Sequence, residues 1–426
     1  HLFSKNWSLN TSISTSMKNG YEARPFDILE DKSLSFGFRS KVNHTTKLFS
    51  FPTTFSMGIE SLSENYDFSL YENLYKLEPG QGSIQGNRFN EINQKRSNSN
   101  VFLQMNMQLI DKLYLESGLA YNSTNYQQKD FFIENTTAKK SYTFGSIWSP
   151  RLGLSYQIAK GKNIFTSISK GFSTPTVAET LTPEGQINTD LKPEIGINYE
   201  VGFKASFFNS KLYTEVSFYN MLVENLLVAR RIAEDQYMGI NAGKSSHQGI
   251  EYLINYKWIT NTNLQILPYF NGTINHFTFT DFIDNNNDFS GNKLPAVPNI
   301  QWNLGFDLKT NFGLNLNTNY GFFGKMPMDD ANSKYAQKYQ LLNAKITYNF
   351  IIQKKLKVEI NTGMQNILNE KYASSILPNA VGFGSTAPRY YYPGNPRNFY
   401  CGLQLAYSLF SRHHNNLVYQ HTLKNN

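Results

Sequence analysis

Apolar residues recur at every second position through most of this chain. Leu34, Phe36 and Phe38 alternate with Ser and Gly, and Val101, Leu103, Met105, Met107 and Leu109 alternate with Phe102, Gln104, Asn106 and Gln108. The same spacing runs through Ile250, Tyr252, Ile254, Tyr256 and Trp258, through Trp302, Leu304, Phe306 and Leu308, and through Leu356, Val358 and Ile360. A period of two gives an extended strand one apolar and one polar face. Roughly sixteen such segments follow one another, each near the ~9–11 residues that a tilted membrane-spanning strand needs. There is no apolar run of about 18 residues, so no spanning helix is predicted. The best stretch, Met221 to Ala229, is broken by Glu224 and Asn225.

The connections constrain the fold further. Short ones are predicted near Ile110–Lys112, Lys160–Lys162, Asn209–Lys211, Ile259–Asn263, Thr310–Asn311 and Ile351–Lys355. Long ones are predicted near Glu60–Ser97, Thr124–Ser149, Gly171–Gly196, Asn225–Ser246, His276–Asn299, Gly324–Gln340 and Ile367–Pro396. The two kinds alternate. Membrane barrels have short turns at one end and long loops at the other, and a soluble sandwich has no reason to keep that order. The expected fold class is therefore all-β, a transmembrane antiparallel up-and-down β-barrel. By this parity the last strand, Arg397 to Phe410, ends on the short-turn side.

Composition fits a surface bathed in lipid. Aromatic residues reach 15% while charged residues stop at 17%, below the usual quarter. The net charge of +8 is spread along the chain without an aromatic-interleaved basic cluster, so nucleic acid is not an expected partner. One cysteine, Cys401, excludes an internal disulfide and a cysteine-rich metal site. The histidines His1, His44, His247, His276, His413, His414 and His421 show no ligand spacing, and the His413–His414 pair reads as polar tail. Asp284 to Asp288 has the look of a calcium loop, but Phe289 stands at its sixth position and Pro295 at its twelfth. No nucleophile elbow or phosphate loop occurs. The chain is expected to be no enzyme and to need no metal or cofactor.

Four elements carry a family resemblance. Ser169-Lys170-Gly171-Phe172-Ser173-Thr174-Pro175 is followed by Asn188-Thr189-Asp190-Leu191-Lys192-Pro193-Glu194 and then Asn198-Tyr199-Glu200-Val201-Gly202. Phe218-Tyr219-Asn220 precedes Asn241-Ala242-Gly243 and His247-Gln248-Gly249-Ile250-Glu251. Asn366-Ile367-Leu368-Asn369-Glu370-Lys371-Tyr372 comes next, and Pro393-Gly394-Asn395-Pro396-Arg397 closes the series. Their order over residues 165–410 resembles that of TonB-dependent outer-membrane receptors, in the iron-complex branch common in Bacteroidetes. Structural roles are the expectation for these motif residues.

The resemblance implies a barrel of 22 strands in the bacterial outer membrane, of which about 16 are visible here, with a plug domain that is not recognisable in this sequence. Residues 1–410 then form the C-terminal portion of a barrel and 411–426 a polar tail. The implied function is TonB-dependent uptake of a scarce ligand, expected to be a ferric siderophore or another iron complex. The implied partners are outer-membrane lipid, a small-molecule metal chelate, and the TonB complex of the inner membrane, reached through a plug region N-terminal to this sequence. A haem, cobalamin or glycan receptor of the same family, a passive porin, and a structural or inactive remnant are the alternatives. Anionic chelates with aromatic groups would favour loop arginines and aromatics. The candidates are Arg230, Arg231 and Tyr237 on one long loop, and Arg389, Tyr390, Tyr391 and Tyr392 on another.

Overall fold

A computed structural model describes residues 2–24, 27–77, 80–131, 140–175, 180, 188, 190–233, 236–284, 286–382 and 387–408. Sixteen long strands follow the chain. They are β1 (Trp7–Ala23), β2 (Asp27–Leu48), β3 (Phe51–Asn73), β4 (Gln85–Ile110), β5 (Leu113–Asp130), β6 (Lys140–Ala159), β7 (Lys162–Ser173) and β8 (Glu194–Phe207). The second half is β9 (Leu212–Ala233), β10 (Gln236–Tyr256), β11 (Leu264–Asp281), β12 (Ile300–Thr310), β13 (Leu314–Phe323), β14 (Tyr339–Ile352), β15 (Leu356–Gln365) and β16 (Asn398–Tyr407). Each pairs antiparallel with the next, and the short segments Leu2–Ser4 and Ile259–Thr260 complete one 18-stranded sheet. Among the described residues, β16 pairs with β15 alone, and β1 with β2 and Leu2–Ser4. In lipid both of these edges have to find partners, because an open sheet edge is not stable there.

The predicted alternation is expressed as two unlike faces. On one face stand Met17, Leu103, Leu152, Phe218, Leu304 and Leu403, large apolar side chains that remain exposed. The other face carries ion pairs such as Arg39–Glu60 at 2.7 Å, Arg96–Glu64 at 3.1 Å and Lys204–Glu215 at 2.8 Å. From β11 onward amides join the charged residues there, with Asn271 opposite Asn303 and Asn319 opposite Asn343. An exposed apolar face backed by a hydrated one suits a sheet whose outside meets acyl chains. Aromatic residues bound the apolar band: on β6, Trp148 and Tyr156 lie eight residues apart, about 27 Å along the strand.

Most short turns fall at one end, while the connection from β1 to β2 closes the other, where Arg24 N donates to the Asp27 carbonyl at 2.9 Å. Phe49–Ser50 and Gln353–Lys354 close their hairpins with both residues at positive φ, the conformation that matches the twist of adjoining strands. The predicted short connections coincide with these turns. Three predicted long connections require correction. Glu60–Ser97, Thr124–Ser149 and Asn225–Ser246 are mostly strand, since the β3–β4 ladder continues to Asn73 opposite Gln85, β5–β6 to Gln128 opposite Lys140, and β9–β10 to Ala233 opposite Gln236. Strand β4 is 26 residues long, about 86 Å if extended, against an acyl core of ~30 Å. Beyond the bilayer both faces meet water, so the sequence turns polar on both and loses its period while the backbone ladder continues. The last strand also ends earlier than expected, at Tyr407; Phe410 and the 411–426 tail lie outside the described residues.

Candidate ligand-binding rim

At the end opposite the tight turns, three connections dock on one another: 282–299 after β11, 324–338 after β13, and 366–397 after β15. Their first anchor is apolar. Phe279, Phe282 and Leu294 are buried together, with Leu226 and Val228 of β9 packed against them. Their second anchor is a set of amide contacts. Asn332 accepts from the Lys293 amide at 2.9 Å and donates to the Lys293 carbonyl at 2.8 Å, while Ala296 N donates to the Pro327 carbonyl. Amides that donate and accept at once hold irregular backbone where no ladder exists.

Asp330 is the point where all three segments meet. Its carbonyl accepts from Asn292 Nδ2 at 2.8 Å, its N–H donates to Asn379 Oδ1 at 2.9 Å, and its Oδ2 accepts from Asn379 Nδ2 at 2.7 Å. The residue is 7% exposed, and Oδ1 has no hydrogen-bond partner. Burial pushes its carboxyl above the ordinary range, against the stabilising bond from Asn379, and the neighbouring charge of Asp329 adds to the rise. A carboxyl that binds its proton more tightly when the segments are docked makes docking strongest in acid. That contribution fades as pH rises through the docked-state pKa. Asp330→Asn keeps the contacts to Asn379 and removes the charge. We expect wild-type hydrogen-exchange protection of 324–338 to weaken from acid to neutral pH, and the variant to hold its acid-state protection at neutral pH. A wild-type profile flat with pH would refute this.

The motif residues turn out to be clasps. Asn366, 3% exposed and at φ 48°, donates through Nδ2 to the carbonyls of Glu370 and Asn395 and accepts at Oδ1 from Glu370 N. Asn369 Oδ1 accepts from Arg397 N. Gly394 lies against the Tyr372 ring, where a Cβ would come within 2.2 Å of Cζ. The last two motifs therefore grip each other across 366–397. Asn241 does the same on the other side, accepting from Lys192 N at 2.8 Å and donating to the carbonyls of Lys192 and Asn225. Tyr142 Oη donates to the Leu191 carbonyl and Tyr126 Oη to that of Pro175, pinning the ends of the β7–β8 connection.

These clasps present aromatic and cationic groups. Phe323 of β13 stacks on Tyr339 of β14 at 4.7 Å, and Tyr339 meets Tyr372 at 4.8 Å. Arg389 is exposed, and Tyr391 and Tyr392 are 56% and 59% exposed on a small ribbon paired with Ala373–Ile376. Tyr390 is held by Lys334, whose Nζ donates to its Oη at 2.7 Å and sits 4.7 Å from the ring centroid. Lys334 was missed by sequence reasoning, because a lone lysine in a polar loop carries no pattern. Arg230, Arg231 and Tyr237 are not on a loop: Arg230 pairs with Met238 and Arg231 with Tyr237 along the β9–β10 ladder. Their side chains lie outside the described residues. At the calcium-like segment, Ile283–Asp284 pairs with Asn287–Asp288 as a two-stranded ribbon.

Below the rim, the polar face borders a cavity of about 720 Å³ lined by Glu116, Arg151, Glu200, Lys204 and Glu215 among others. The up-and-down sheet is thus apolar on one face and charged on the other, with clasped segments at one end. The family model for TonB-dependent receptor-like β-barrels matches residues 1–367. The chain belongs to that family. Among solved structures, the receptor barrel resembles the ferric citrate transporter FecA in its unliganded form, with TM-score 0.73, 16% identity, and coverage of 95% of this chain and 60% of that one. It also resembles the siderophore receptor PiuA of Acinetobacter baumannii, with TM-score 0.71, 16% identity, and coverage of 96% and 63%. For the ferric-catecholate import receptor Fiu of E. coli the values are 0.67, 14%, 95% and 62%. The chain thus spans about 60% of the length of these structures, and the likeness bears on fold alone.

Proposed function

We propose that this chain is barrel wall and outer rim of an outer-membrane receptor that imports an iron complex with energy delivered through TonB. In this reading residues 1–410 form the C-terminal portion of the barrel and 411–426 a tail. The observation that carries the reading is the joining of a lipid-suited exterior to a charged interior beneath a rim clasped by Asn366, Asp330 and Asn241. A scarce ligand needs a preorganised capture surface, because ordering loops at binding costs affinity. The named activities of FecA, PiuA and Fiu support an iron chelate as cargo. Arg389 and Tyr390 to Tyr392, with Lys334 beside them, offer cations and rings to an anionic aromatic chelate. Arg230, Arg231 and Tyr237 are proposed to do so from the β9–β10 hairpin.

The test uses the complete gene product in its own outer membrane. Cells grown without free iron receive radiolabelled ferric siderophores, with and without a functional TonB. Uptake that needs both the receptor gene and TonB is the expected result. Uptake that survives loss of TonB, together with open-channel conductance in planar bilayers, would replace this reading with a passive porin.

A further inference from the structure

Charge is distributed unevenly between the two ends of the barrel. Seven short connections close one end, at 47–51, 110–113, 159–162, 207–212, 256–264, 309–314 and 351–357. Every one of them contains lysine, ten in all, and Asp111 is their one acidic residue. This end therefore carries +9, the whole chain carries +8, and all the remaining residues together come to −1. The ten lysines are exposed except for Lys162, whose Nζ lies 4.6 Å from the centroid of the Phe207 ring. Among the described residues none of them joins an ion pair.

Six of the seven connections also project a large apolar side chain into solvent: Phe49, Ile110, Phe208, Trp258, Phe312 and Ile351. Phe49 is 83% exposed at φ 50°, and Phe208 is 71% exposed at φ 53°. A bulky residue rarely adopts positive φ, and Asn or Gly would fill such a turn with less strain. In the free protein neither ring gains burial in return. Lipid does not cover Phe49 either. Trp7 stacks on His44 at 4.0 Å on the apolar face, the pair expected of the lower aromatic girdle. Phe49 stands five residues past His44, about 16 Å along the strand and about 11 Å along the membrane normal at the usual ~45° tilt. That is beyond a headgroup layer of about 5–7 Å.

We propose that the short-turn end is the docking face for a folded periplasmic protein with an acidic surface. The projecting Phe, Ile and Trp side chains would seat in apolar recesses of the partner, and the lysines would face its carboxylates around them. Apolar anchors within a charged rim divide the work of an interface, the anchors supplying affinity and the rim steering and selection. The concentration of the chain's whole net charge here fits an acidic partner and repels a basic one. Neighbouring turns are two strands, about 10 Å, apart, so a small domain would span three or four of them. The proposal rests on the outer-membrane orientation, with short turns in the periplasm, and it is independent of the cargo.

The test places a photo-reactive amino acid at Phe49, Phe208 or Phe312, one at a time, in the full-length protein in living cells. Crosslinked products are identified by mass spectrometry. One acidic protein captured from at least two of the three positions is the expected result. Its yield should fall about tenfold in the triple variant Lys112→Glu, Lys211→Glu, Lys354→Glu, with the barrel band on a semi-native gel unchanged. If that reversal prevents assembly, the same lysines changed to Gln carry the test, with a smaller loss in the same direction. Capture of phospholipid, of cell-wall polymer or of a basic protein would overturn the proposal. So would unrelated products at each position, no product at all, or a yield indifferent to the lysines. A protein absent from the outer-membrane fraction would instead refute the placement itself.

Discussion

Asn366→Ala is expected to undo the outer rim while leaving the barrel intact. The side chain satisfies three backbone groups, the N–H and carbonyl of Glu370 and the carbonyl of Asn395, from a position almost closed to solvent. Removing it leaves those groups without partners at about 1–3 kcal/mol each, so a local loss of at least about 3 kcal/mol is expected. The backbone adds to this, because φ 48° is a conformation that Asn tolerates better than Ala. The loss falls on residues 366–397, whose ends the clasp brings together, and not on the ladder from β14 to β16. Limited proteolysis of intact cells should cut this segment of the variant rapidly, while the folded barrel band on a semi-native gel stays unchanged. Equal resistance in wild type and variant would show that the clasp is redundant.

Leu304→Arg is expected to be the most damaging single change on the barrel wall. Leu304 lies on β12 between Phe270 and Tyr320, on the face of exposed large apolar side chains, and is itself 50% exposed. An arginine at the depth of the acyl chains costs about 2–4 kcal/mol, falling toward zero at the interfaces. Its sequence neighbour provides the control. Asn303 faces the other way, its Nδ2 donating toward Asn271 Oδ1, and Asn303→Arg meets a hydrated wall. Urea-dependent folding into lipid vesicles would separate the two. Equal destabilisation, or a larger effect at 303, would reverse the assignment of the faces.

That pair of neighbours shows what was legible beforehand. Leu304 and Asn303 were assigned opposite faces by period alone, and the tight turns at Gly161, Asn209 and Lys354 fell where the pattern paused. In the sequence the β3–β4 and β9–β10 extensions look like loops, because water on both sides removes any reason for alternation. Arg230 and Arg231 lie in one of them. The motif around Asn366 could be read, but its partner could not: Asn395 is 29 residues away, and only the fold brings its carbonyl to the amide.

The sequence alone determined that the chain forms antiparallel strands with one face for lipid, since solvent on each face selects residue type position by position. It also determined the family, through motifs held in order. The tertiary structure decided how the outer segments dock: Asp330 with Asn379, Asn241 with Lys192, and Lys334 with Tyr390. Those contacts join residues about 50 apart in sequence and follow no period, because a hydrogen bond between irregular segments depends on where two backbones meet.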